Sequence, residues 1–121
     1  DSIVRGHTSK NIVKMVKKCG AKKVFLASAS PPIRYQNIYG IDMPATTELI
    51  GNNRSVAAIK KYIKADELIY QNLEDLKRAA TIGNPKITEF EDSVFTGNYR
   101  VGDITKDFLK NLEKNRSDLS K

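Results

Sequence analysis

Little in this chain can build a covalent or metal-held framework. Among its 121 residues there is one cysteine, Cys19, and one histidine, His7. A single cysteine excludes an internal disulfide network and a multi-cysteine metal site, and it fits a cytosolic setting. No apolar run approaches the roughly 18 residues that a bilayer-spanning helix needs, and no charged start followed by an apolar stretch marks a secretory leader. Internal repeats, collagen-like periods and low-complexity tracts are missing as well. So is any tight basic run with interleaved aromatics, although Lys and Arg total 21 against 14 acidic residues, a formal charge of +7. The lysines are spread over the polar faces of predicted helices, so neither nucleic acid nor a membrane is expected as a partner. The same field serves to attract small anions. Asn53-Arg54-Ser55 and Asn115-Arg116-Ser117 match the glycosylation acceptor pattern, but without a leader they read as coincidences of composition.

What is present suffices for one small domain or a piece of a larger one, with 40% hydrophobic residues. Thr8 or Ser9 is placed to cap a first helix. Ile12, Met15 or Val16, and Cys19 recur on one face of it, and Gly20 ends it. Lys22 to Ser28 is a short apolar run that reads as a buried strand. The two prolines in Ser30-Pro31-Pro32 make the stretch that follows extended or turning, and Thr46 to Ile50 suits a short helical turn. Ser55 caps a second helix with Val56, Ile59 and Ile63 inward. Glu67-Leu68-Ile69-Tyr70 is a second short strand. Asn72 caps a third helix with Leu73, Leu76 and Ala80 on one side, and Asp75 lies close to a capping-box position. Residues 87–99 read as irregular or weakly stranded, with a turn at Thr96-Gly97-Asn98. A last helix is expected over residues 105–113 with Phe108, Leu109 and Leu112 inward, followed by a polar, fraying tail.

Helices alternating with strands predict an α/β class with parallel pairing. One strong and one weak strand cannot form a sheet covered on both faces, as parallel sheets require. The chain is therefore expected to be the carboxyl-terminal part of a domain whose other strands lie upstream. The absence of an initiator methionine agrees with that expectation.

The opening stretch Asp1-Ser2-Ile3-Val4-Arg5-Gly6-His7-Thr8-Ser9 would then leave a strand end, turn at Gly6 and enter a helix. Open parallel sheets bind ligands at such strand ends. A helix start offers N–H groups and a positive dipole end to a phosphate, Gly6 permits close backbone approach, and Thr8, Ser9 and Arg5 add donors. Asp1 suits sugar hydroxyls or Mg²⁺. An ordinary capped helix after a glycine turn has the same composition, and the residue types alone leave both readings open.

Residues 1–9 resemble the phosphoribosyl-pyrophosphate loop of type I phosphoribosyltransferases, where a strand ending in two acidic residues is followed by Ser-Ile-Val-Arg-Gly-Thr-Thr-Ser. Further segments are similar, in order, to the carboxyl-terminal part of the glutamine phosphoribosylpyrophosphate amidotransferase family. Among them are Gly20-Ala21-Lys22-Lys23-Val24, Pro32-Ile33-Arg34, Asn37-Ile38-Tyr39-Gly40-Ile41-Asp42-Met43-Pro44, Leu68-Ile69-Tyr70-Gln71 and Phe95-Thr96-Gly97-Asn98-Tyr99. The resemblance implies the carboxyl-terminal part of a type I phosphoribosyltransferase fold over residues 1–113, a polar tail at 114–121, and an amino-terminal glutaminase domain that is not in this chain. It implies transfer of glutamine-derived ammonia to phosphoribosyl pyrophosphate, giving 5-phosphoribosylamine and pyrophosphate in the first committed step of purine synthesis. It also implies one Mg²⁺ per subunit, feedback by purine nucleotides and a homotetramer. Residue by residue, Asp1 matches the second acidic residue, at the Mg²⁺ and ribose site. Ser2 and Arg5, Gly6, His7, Thr8 and Ser9 match the loop that binds the substrate.

Three departures stand out. The family's Thr is His7 here, which keeps the backbone N–H and offers an imidazole that can meet a phosphate when protonated. The position carries no assigned chemistry. Some members hold an iron–sulfur cluster on cysteines where this chain has Asn37, Glu91 and Val94, so no cluster is expected, and Cys19 reads as core. The first acidic residue and the rest of the sheet are missing. The stretch 31–40 leaves the neighbouring strand and either lines the acceptor side, touches another domain, or is purely structural. The alternative reading of the whole is a stand-alone phosphosugar or nucleotide-binding module without catalysis.

Overall fold

The computed structural model describes residues 1–41 and 43–118. Asp42 of the 37–44 segment and residues 119–121 of the expected tail lie outside the described residues. Helix α1 (His7–Lys18) leads to strand β1 (Phe25–Ser28), a 3₁₀ turn (Thr46–Glu48), helix α2 (Val56–Ile63) and strand β2 (Glu67–Tyr70). Helices α3 (Leu73–Thr81), α4 (Ser93–Thr96) and α5 (Lys106–Asp118) follow. The two strands run parallel, in register from Phe25 opposite Glu67 to Ser28 opposite Tyr70. The register is pinned from outside the ladder too: the Val24 N–H donates to Asp66 Oδ2 at 2.8 Å and the Asp66 N–H to the Val24 carbonyl at 2.9 Å. The Val24 bond, together with the Lys17 ammonium, holds the Asp66 carboxyl below the usual range.

The core gathers Ile3, Val13, Val24, Ile50, Ile59, Ile63 and Leu68 between one face of the sheet and helices α1 and α2. Ile59 and Ile63 are fully buried, one turn apart on α2. That helix starts as expected, with Ser55 Oγ accepting the Ala58 N–H at 3.2 Å, although Val56 stays exposed. Asn72 caps α3 by accepting from the Glu74 and Asp75 N–H groups. Asp75 completes no box; its carboxylate pairs with Arg78 at 2.6 Å. Leu73 and Leu76 are half-buried while Ala80 is exposed.

Several expected faces turn out otherwise. On α1 only Val13 is buried, whereas Ile12, Met15, Val16 and Cys19 are exposed. Strand β1 is not a buried strand: Phe25 is 64% exposed, and Ile69 on the same sheet face is 56% exposed. The physical reason is common to both. A two-stranded parallel sheet with helices on one side offers those apolar groups nothing to pack on among the described residues. Residues 87–92 form no strand, and residues 93–96 make a short helix that ends on Gly97 at φ 78°. Helix α5 begins with Thr105 Oγ1 accepting the Phe108 N–H and continues past residue 113 to Asp118. Leu109 and Leu112 are half-buried on it, and Phe108 is exposed.

Candidate functional site

The chain start is held at the carboxyl end of β1. The Ala29 N–H, just beyond that strand, donates to the Asp1 carbonyl at 3.2 Å, and the Ile50 N–H donates to the Val4 carbonyl at 2.8 Å. Ile3 is buried in the core between these two ties. Gly6 then turns the chain at φ 79° and stands at the N-cap of α1. A side chain there would meet Ile50 Cδ1 and the Tyr62 ring. The close approach that Gly6 permits is therefore to the core behind the loop, which leaves the loop's other side open.

Thr8 and Ser9 do not cap the helix, contrary to the sequence expectation. The N-cap is Gly6, two residues before Thr8, and the helix starts at His7 with no side-chain cap and no acidic residue in its first turn. The first ladder bond is from the Lys10 N–H to the Gly6 carbonyl at 2.9 Å. The N–H groups of His7, Thr8 and Ser9 stand ahead of it, where a helix has no intrahelical acceptor for them. Glycine is an acceptable N-cap that brings no side-chain oxygen to those groups. The hydroxyls of Thr8 and Ser9 thus remain available to something else.

Residues 1–9 line a cavity of about 630 Å³, closed by Ile12, Leu26, Ala27 and Pro44. All seven residues singled out from the sequence, Asp1, Ser2, Arg5, Gly6, His7, Thr8 and Ser9, are in that lining. Asp1 is exposed, and its Oδ1 accepts the Ser2 N–H at 2.7 Å. Arg5 is already engaged: its Nε lies 3.2 Å from Glu48 Oε1, both side chains being about half exposed, while Glu48 Oε2 accepts the Ala45 N–H at 3.2 Å. Glu48 thereby ties the loop to the 3₁₀ turn. On the far side of Arg5 and His7 lies a smaller cavity of about 190 Å³, shared with Thr47, Glu48, Arg54 and Tyr62. The His7 and Tyr62 rings are 6.4 Å apart, and the Lys10 ammonium sits 4.5 Å from the Tyr62 centroid, a cation–π contact.

Sequence reasoning missed Pro44, Glu48 and Tyr62. Tyr62 carries no local signal, since its place behind Gly6 depends on how α2 packs. Residues 31–40 are absent from the cavity lining; Pro31, Ile33, Gln36 and Asn37 are buried while Tyr35, Tyr39 and Gly40 are exposed. The Arg34 and Tyr35 N–H groups donate to the Val94 carbonyl, Gln36 Nε2 to the Leu109 carbonyl, and the Tyr99 hydroxyl to the Gln36 carbonyl. Asn37 and Glu91 both bond to Tyr39, and the Val94 carbonyl takes the Arg34 and Tyr35 N–H groups. Asn37 Oδ1 accepts the Tyr39 N–H at 2.8 Å, and Glu91 accepts the Tyr39 hydroxyl at 2.7 Å and the Ser93 N–H at 2.9 Å. Burial alone would raise the Glu91 carboxyl, but those donors hold it below its ordinary range. Among the described residues no group of three or more His, Cys, Asp or Glu side chains is placed to hold a metal ion. No described helix is long and apolar enough to cross a membrane.

Comparison with known proteins covers the same ground from outside. No family model matches the chain. Amidophosphoribosyltransferase of Pasteurella multocida strain Pm70 is 51% identical over 121 residues, all of this chain and 24% of that protein. The Escherichia coli K12 enzyme of the same name is also 51% identical over the full chain, and that of Saccharomyces cerevisiae is 48% identical over 120 residues. Over its whole length the chain is thus similar to one stretch of amidophosphoribosyltransferases. It spans about a quarter of the length of these relatives. Solved structures agree. The Bacillus subtilis glutamine phosphoribosylpyrophosphate amidotransferase complexed with ADP and GMP superposes with a TM-score of 0.74 at 36% identity, over 88% of this chain and 23% of that one. A structure described as the allosteric regulatory enzyme of purine biosynthesis gives a TM-score of 0.76 at 37% identity with the same coverage. The α/β fold with its parallel strand pair is thus that of the matching part of the type I phosphoribosyltransferase fold in amidophosphoribosyltransferases.

Proposed function

We propose that this chain is the carboxyl-terminal part of a phosphoribosyltransferase domain, spanning residues 1–113 with a polar tail at 114–121. The enzyme would transfer glutamine-derived ammonia to phosphoribosyl pyrophosphate in the first committed step of purine synthesis. The observation that carries this reading is the uncapped start of α1, turned by Gly6 into the 630 Å³ cavity with Asp1 in its wall. It is supported by the identity of about half the residues to enzymes of that name.

In this reading the N–H groups of His7, Thr8 and Ser9 and the hydroxyls of Thr8 and Ser9 bind the 5-phosphate at the positive end of the helix dipole. Arg5 contributes its charge to the cavity while Glu48 holds its guanidinium, so it shapes the loop as much as it binds. Asp1 faces the ribose. Its single exposed carboxylate suits Mg²⁺, which commonly takes one or two protein carboxylates with substrate oxygens and water. When bound, that ion neutralises charge developing on the leaving pyrophosphate. The C1–N bond forms as the bond from C1 to pyrophosphate breaks, and the nitrogen then loses a proton. Ammonia is already nucleophilic, so the main task of these residues is to orient C1 and keep it from water. Feedback by purine nucleotides and assembly as a homotetramer belong to the same proposal. The ADP and GMP bound to the Bacillus subtilis relative support the former.

The test is pyrophosphate release from phosphoribosyl pyrophosphate by the full-length protein, with Mg²⁺ and either glutamine or ammonium. Release is expected with both nitrogen donors, and none is expected from residues 1–121 alone. Turnover by the isolated chain, or none by the full-length protein with ammonium, would overturn the reading.

A further inference from the structure

We propose that His7 takes up a proton as a phosphate ester binds, so that anion and proton enter the site together. The inference rests on the phosphate-loop reading and adds to it a pH-dependent affinity that a hydroxyl residue at this position would lack.

His7 is the first residue of α1 and is exposed. It lines both the large cavity and the smaller one behind it. It is the chain's one histidine, and no other side chain lining either cavity ordinarily changes charge between pH 5 and 8. The groups around it are mostly cationic. Arg5 and Arg54 share the smaller cavity, and Lys10 lies one turn further along α1 against the same Tyr62 ring. Of the carboxylates, Glu48 is paired with Arg5 and the Ala45 N–H, and Asp1 accepts the Ser2 N–H in the wall of the large cavity. The positive end of the α1 dipole adds to this field. An imidazolium here is one more positive charge in a cationic setting, and a phosphate dianion at the helix start is the charge that offsets it. Protonated, the ring has two N–H donors in place of one, and a donor that carries charge binds a phosphate oxygen more strongly than a neutral one.

The experiment is isothermal titration of ribose 5-phosphate into the full-length protein and its H7N and H7T variants, at pH 5.5 and pH 8.5. The phosphate's own titration affects all three proteins alike and cancels in their ratio. Affinity of the natural protein relative to H7N should rise about tenfold from pH 8.5 to pH 5.5, the gain of a charged over a neutral donor. H7N and H7T should keep a constant ratio. Near pH 7, titration in two buffers of different ionisation heat should show extra proton uptake only with His7 present. Binding in all three proteins with the same pH dependence would overturn the role of His7 and leave the phosphate loop standing. No binding by any of them at either pH would overturn both.

Discussion

Replacing Gly6 by alanine tests whether the loop is shaped by what lies behind it. The residue sits at φ 79°, where a Cβ costs roughly 1 kcal/mol. The added methyl also runs into Ile50 Cδ1, which belongs to a side chain only 1% exposed. Cδ1 is the end of the Ile50 side chain and can turn, but only by disturbing the packing around a residue that is almost wholly buried. Overpacking of this kind costs about 1–3 kcal/mol, for a total of roughly 2–4 kcal/mol. Gly40 supplies the control: its φ is 88°, yet nothing lies within 4 Å of a methyl built on it, so G40A should cost only about 1 kcal/mol. I50V removes the obstructing methyl group at about 0.5–1.5 kcal/mol by itself. The double variant G6A/I50V should then be less destabilised than the sum of its parts by about 1 kcal/mol or more. Urea denaturation of the four variants in the full-length protein reads all of this. G6A no worse than G40A, or strict additivity in the double variant, would refute the argument.

Two further outcomes follow from the same kind of reasoning. Ser55 caps α2 and Thr8 and Ser9 cap nothing, so S55A should lose about 1 kcal/mol of stability. The pair T8A/S9A should lose little stability while weakening ribose 5-phosphate binding in titration; equal stability losses would contradict the geometry. Asp92 is held below the usual carboxylate range by the Lys77 ammonium at 2.7 Å, against its burial and with help from the Thr96 hydroxyl. A depressed carboxyl stabilises the fold above its unfolded value of about 4 and loses that contribution as pH falls through the lower folded value. The urea midpoint of the natural protein should therefore drop more steeply below pH 4 than that of D92N, and parallel curves would sink the assignment.

The sequence showed best those features that depend on neighbours along the chain. Ser55 and Asn72 act as caps because an N-cap bond spans only two or three residues. Strand β2 and the buried pair Ile59 and Ile63 follow from period alone. The loop was legible as a string of residue types, and all seven of its marked members line one cavity. What failed was the choice between faces. Ile12, Met15, Val16 and Cys19 have as good a helical period as Val13, and only the packing of α1 beside α2 decides that Val13 turns inward. Phe25 looked like a core residue because its run is apolar, but which sheet face is covered is not written in a single strand. The caps proposed at Thr8 and Ser9 failed because Gly6, in a left-handed conformation, caps the helix two residues before Thr8. Nothing local placed Tyr62 and Glu48 behind the loop, since both arrive through the tertiary fold.

The ties on the loop have a consequence for how the segment responds to its ligand. Asp1 is bonded to the residue after β1, Val4 to the residue that opens the way to α2, and Arg5 to the 3₁₀ turn. The ties reach two later parts of the chain, at Ala29 and at residues 48–50, so the cradle takes shape only when both parts are already in place. By mass action, whatever occupies the cradle draws the population toward molecules in which all of them are folded. A phosphate ester should thus shield from proteolysis not only residues 1–9 but also the connections around Ala29 and Ile50, which lie far from them along the chain.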